Sequence, residues 1–189
     1  MFLRDFSRTD ATPIFAAPTA PVALESSLRG LTAGTMLDTP AGWRAVQSLH
    51  IGDKVQSLDG GACRIVALDR QTIAGVASLI HLPGGALDNC SALTLLPGQR
   101  VLVDTFDAME APFALIPARA LTGFRGAEMR VFRRPVEVIM PIFAEEEVVW
   151  AQSGLLLHCA GAQEDASFFP RLDVPEAKAL LAYRASLVA

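Results

Sequence analysis

The chain has 189 residues, of which 51% are apolar and 19% charged, with a formal net charge of −4. That length suits one domain with a sizeable core and a short extension, and two full domains would be cramped. The composition excludes a disordered chain. The negative balance, with no compensating basic run, excludes general attraction to nucleic acid or to a membrane surface.

Along the chain, Arg4, Asp5, Arg8 and Asp10 interrupt any apolar run of signal-peptide length. Pro13, Pro18 and Pro21 then break an apolar stretch that is already shorter than the roughly 20 residues needed to span a bilayer. Residues 1–29 therefore read as an extended arm ahead of the main fold, with no transmembrane segment, and the expected compartment is the cytoplasm.

From 30 to 163 the chain is a succession of short segments rich in Val, Ile, Leu and Phe. Gly, Pro, Asp and Asn divide them at intervals of roughly 8 to 12 residues, the spacing of an all-β domain. Strands are expected over 43–48, 54–58, 62–68, 77–82, 100–103, 129–132, 136–143, 147–151 and 155–159. Turns are expected at Asp59-Gly60-Gly61, Pro83-Gly84-Gly85, Pro97-Gly98 and Ser153-Gly154. A short helix fits 118–122, closed by Gly123.

Residues 164–189 form a helical extension. Asp173 and Glu176 make an Asp-x-x-Glu start with Pro175 in the first turn, and Ala177, Leu180, Leu181, Leu187 and Val188 recur at helical spacing, an apolar face expected to cover the sheet.

Cys63, Cys90 and Cys159 are odd in number and lack Cys-x-x-Cys spacing, which points to reduced, mostly buried thiols rather than a disulfide framework or a zinc ribbon. His50, His81 and His158 are scattered, so no metal face is expected, and nothing calls for a cofactor. Arg130, Arg133 and Arg134 face Glu128 and Glu137 as a solvated strand end, and Glu145-Glu146-Glu147 reads as a solvated hairpin tip. His158-Cys159 ends an apolar strand and should pack inside. Cys90, beside Asn89 and near His81, has no evident oxyanion donor and reads as a small residue packed before a strand.

Two blocks carry a pattern with a family behind it. GLTAGTMLDTPAGWRAVQSLHIGDKVQSLDGG, 30–61, holds a Gly-Thr, a strand pair joined by an Asp-x-Pro-x-Gly type turn, and Leu49-His50-Ile51-Gly52-Asp53-Lys54-Val55. LTLLPGQRVLV, 93–103, is the second, followed by Ile116-Pro117-Ala118-Arg119-Ala120-Leu121 and a closing strand pair over 135–157. The chain resembles the hedgehog/intein (Hint) self-processing domains over 30–160, most closely their bacterial branch. The resemblance implies a mainly β, flat, horseshoe-like fold of two similar halves.

In active members of that family a first-block Cys or Ser attacks the preceding carbonyl, and a second-block Thr and His polarise the amide and carry a proton to its nitrogen. By that resemblance these positions here are Gly30, Leu96 and Gln99. Glycine offers no nucleophile, leucine no polar atom, and glutamine cannot exchange a proton near neutral pH. The His-Asn pair that ends splicing inteins is also missing.

The resemblance thus implies an inert relative, not an enzyme: a binding or assembly module whose cleft takes another polypeptide or its own N-terminal arm. The rival reading is a self-processing domain with a relocated nucleophile, Cys90 or Thr32. A weaker third option is oligomerisation through exposed strand edges.

Overall fold

A computed structural model describes residues 28–106, 108–162 and 167–187. The expected extended arm lies outside them up to residue 27, as does Val188.

The chain runs β1 (Leu31–Thr32), β2 (Met36–Leu37), β3 (Arg44–Ala45), β4 (Lys54–Gln56), β5 (Ala62–Arg64), β6 (Ala67–Ile73) and β7 (Ala77–Leu82). It continues through β8 (Leu93–Leu95), β9 (Arg100–Asp104), β10 (Phe113–Pro117), β11 (Glu128–Phe132), β12 (Val136–Ile142), β13 (Glu147–Ala151) and β14 (Leu155–Cys159), and closes with helix α1 (Val174–Ser186). One six-stranded sheet has the order β11-β7-β8-β1-β12-β6, a second has β10-β9-β14-β13-β2-β3, and β4 and β5 form a separate hairpin. All the strand pairs are antiparallel. A large apolar core that includes Leu31, Leu37, Leu95, Val101, Ile139 and Leu157 joins the two sheets, with smaller clusters around Leu96 and around Leu115. The mainly β class, the short internal helix and the C-terminal helix all stand.

Several boundaries differ from the sequence reading, each for a local reason. The segment expected as one strand over 62–68 breaks at Ile65, which is fully buried, so β5 stays in the hairpin while β6 crosses to pair with β12. Beyond it β6 carries Asp69 and Arg70 along a sheet edge, where polar residues tolerate solvent and hide the strand from a hydrophobic pattern. The strand expected over 43–48 is two residues long and gives way to a 3-10 turn over Val46–Ser48. Ile116 and Pro117 end β10, and the short helix, also 3-10, starts at Ala118. Two-residue β1 and β2 are too short for any periodicity to show.

Helix α1 begins as expected. The Asp173 carboxylate accepts the Glu176 backbone N–H at 2.9 Å, and the Glu176 carboxylate accepts that of Asp173 at 2.8 Å. Ala177, Leu180 and Leu181 are buried, but Leu187 is 52% exposed, because the helix packs on the turn over Ala118–Leu121 and on β10 rather than across a whole sheet face.

Candidate functional site

β1 lies in the middle of the first sheet, with Leu31 opposite Ile139 on one side and Leu95 on the other. Immediately before it, Gly30 is buried with φ +137°, a conformation open to glycine and strained for any other residue. After β8 the chain turns through Pro97 and Gly98, with the Gln99 N–H donating to the Leu96 carbonyl at 3.0 Å, and passes into β9 of the second sheet. Gln99 therefore stands where the two sheets exchange strands.

Its side chain is fully buried and fully used. Oε1 accepts the Gly30 N–H at 2.9 Å, and Nε2 donates to the His158 carbonyl on β14 at 2.8 Å and to the Arg100 carbonyl at 3.1 Å. The Gln99 carbonyl takes the Ala118 N–H at 2.8 Å. Both ends of the amide are assigned by chemistry, since its partners are a donor at one end and acceptors at the other.

A β-carbon on Gly30 would collide with Cγ1 of Val138, which fills the space a side chain would need. Leu96, 1% exposed, packs with Ala77, Leu79, Val138 and Leu28 on the outer face of the first sheet. Gly30, Leu96 and Gln99 are thus brought to one place. Thr32 is close by but engaged, its hydroxyl donating to the Thr94 carbonyl at 2.7 Å.

Cys90 is not brought there. It lies on the loop between β7 and β8, where its N–H donates to the Gln152 carbonyl at 2.9 Å. That contact is at the turn of the β13–β14 hairpin, the opposite end from His158. Cys90 is exposed, so the expectation of a packed thiol fails: the tight turn through Gln152 and Ser153, both at positive φ, holds the loop from outside. The hydroxyls of Ser153 and Ser91 draw its thiol below the ordinary range. Of the other two thiols, Cys63 is half-buried and Cys159 buried, and burial raises both, with Glu147 adding to the effect.

A charged cluster beside Gln99 escaped the sequence reading. The expected solvated tip at Glu145-Glu146-Glu147 is wrong for Glu146, whose side chain is 19% exposed. Its Oε2 accepts from His158 Nε2 and from Arg171 NH2, each at 2.9 Å, and its Oε1 accepts the Phe168 N–H at 2.8 Å. Burial works to raise the Glu146 pKa, but His158 first, then the nearby Ser167 hydroxyl and the Phe168 N–H, together outweigh it and hold the group at about 2. His158 does pack inside, and burial, outweighing the attraction of Glu146, keeps its ring below its ordinary pKa. An ionised carboxylate only accepts, so the neutral ring donates from Nε2. The hairpin pairing sets Glu147 opposite Cys159 and so brings Glu146 to the His158 end of the strands, a signal present in the sequence once the pair is aligned.

At the other places singled out, Arg130 bonds Glu128 on exposed β11, and Arg133 and Arg134 are exposed, as expected of a solvated strand end. His50 is exposed and His81 lies half-buried on β7. No helix among the described residues is long and apolar enough to cross a membrane.

An antiparallel β fold in which two sheets trade strands around a residue preceding the first strand defines a class of protein, and comparison with known families names it. The model of the Hint domain family matches residues 29–156, and the chain belongs to that family. Among solved structures it is similar to a bacterial intein-like domain from Clostridium thermocellum, with 18% identity and a TM-score of 0.53, covering 70% of this chain and 99% of that one. It is also similar to the MchDnaB-1 intein, with 14% identity and a TM-score of 0.39, covering 68% of this chain and 98% of that one. No curated protein matches the sequence.

Proposed function

We propose that this Hint-fold protein does not process itself and acts as a binding or assembly module through the surface around Gly30, Leu96 and Gln99. One observation carries the reading. The Gly30 N–H is clamped by Gln99, and the volume a nucleophilic side chain would occupy at position 30 is filled by Val138. A Hint domain that cleaves needs a thiol or hydroxyl there, an oriented hydroxyl and a proton carrier. Glycine, leucine and glutamine supply none of these, and the buried amide, bonded at both ends, acts as a strap between the two sheets.

The test is the mass of the intact protein during prolonged incubation with dithiothreitol or hydroxylamine, which would drive any thioester or ester at position 30 to cleavage. The mass should not change. A fragment beginning at Gly30 would overturn the reading in favour of self-processing.

A further inference from the structure

Four arginines gather at the crossing of the two sheets. Arg29 precedes Gly30, and Arg100 follows Gln99. The Arg119 N–H donates to the Pro97 carbonyl at 3.0 Å, next to the Ala118–Gln99 bond. Arg171 is bridged to Leu115, and NH1 of Arg100 reaches the carbonyls of Leu115 and Leu172 at 3.4 and 3.3 Å, which sets its guanidinium beside Arg171.

The only carboxylate bonded to any of the four among the described residues is that of Glu146, on Arg171, and His158 and Phe168 already share it. Nε and NH2 of Arg100 have no acceptor among those residues. Burial and the nearness of Arg29, Arg171 and Arg119 all push the Arg100 pKa down, and Arg29 and Arg171 act on His158 in the same sense. Arg29, Arg119 and Arg171 are exposed and Arg100 half-buried, so solvent reaches the group.

Like charges held together repel one another unless a counter-charge sits among them. Among the described residues, four cations facing one shared carboxylate leave an excess of three positive charges, more than a single carboxylate ligand can offset. A phosphate group carries about two negative charges at neutral pH and several acceptor oxygens, which suit the forked donors of arginine.

We propose that Arg29, Arg100, Arg119 and Arg171 form a binding site for a phosphate dianion, either free phosphate or the headgroup of a small phosphate monoester. The site gives a ligand chemistry to the module described above and rests on that reading of its surface as one that binds. The guanidinium groups hold the oxygens, and the Gln99 strap fixes the spacing between Arg29 and Arg100.

Titration calorimetry on the full chain tests this with inorganic phosphate and with glycerol phosphate, the ionic strength being held by chloride. Saturable binding of one equivalent of either ligand is expected, weakened about tenfold or more by Arg100→Gln and by Arg119→Gln. Arg64→Gln serves as the control, because its guanidinium donates to the Gly52 carbonyl at the β4–β5 hairpin, away from the cluster. Arg119 is exposed, so its variant keeps the test valid if Arg100→Gln does not fold. A response to glycerol phosphate alone assigns the site to esters, and a response to both assigns it to the phosphate group itself. No saturable binding of either, or equal losses in Arg119→Gln and Arg64→Gln, overturns the proposal. Intact mass on the same samples reports self-cleavage separately, so the two readings fail independently.

Discussion

The backbone N–H of Gly30 donates to the side-chain oxygen of Gln99 at 2.9 Å, across 69 residues of chain. Because the same amide also donates to the His158 carbonyl, one side chain ties the entry of β1 to β9 and β14. Replacing Gln99 with Leu would leave that N–H and that carbonyl buried without partners. The expected loss of stability, read by chemical denaturation, is about 3 kcal/mol. A change below about 0.5 kcal/mol would mean that the strap carries little.

Gly30→Cys meets both a positive φ and Val138, so it should destabilise the fold by about 1–3 kcal/mol. Adding Val138→Ala should recover part of the loss. In the combination Gly30→Cys, Leu96→Thr and Gln99→His, thiol-induced cleavage after Arg29 should be faster with Val138→Ala than without it, as judged by intact mass. Equal rates would show that Val138 does not close the site.

Acid should destabilise the protein in two steps. His158 has a depressed pKa in the folded state, so the unfolded chain takes up this proton first as the pH falls below 6.5. Glu146 is held at about 2 against an ordinary 4.5, so its contribution is complete above 4.5 and is lost as the pH falls towards 2. Stability measured by urea unfolding should therefore rise with pH over both ranges. His158→Gln should flatten the upper range and Glu146→Gln the lower, and an unchanged profile in either variant would refute that assignment.

The three thiols should alkylate in a set order. Cys90, exposed and with a lowered pKa, should react with iodoacetamide first and Cys63 more slowly, while Cys159 should need denaturant. Peptide masses after partial labelling give the order, and early modification of Cys159 would contradict its burial.

In helix α1, Asp173→Ala should cost about 1 kcal/mol through loss of the capping box. Leu181→Ala should cost about 3 kcal/mol. Leu187→Ala should fall within about 0.5 kcal/mol, since that side chain is largely in solvent. Thermal or urea unfolding ranks the three, and a large effect at Leu187 would place the end of the helix elsewhere.

The features legible in the sequence were those written in neighbouring residues. Ala77–Leu82, Glu147–Ala151 and Leu155–Cys159 show as short apolar runs bounded by turns, the cap of α1 as Asp173 and Glu176 three residues apart, and the family as two contiguous blocks. Tertiary structure alone decided that Val138 fills the place of a side chain at Gly30, that Glu146 leaves solvent to meet His158 and Arg171, and that Arg29, Arg119 and Arg171 come near Arg100. The physical reason is the same in each case. These contacts join positions far apart in the chain, and they depend on which strands exchange between the two sheets, information that neither a periodicity nor a turn signal carries.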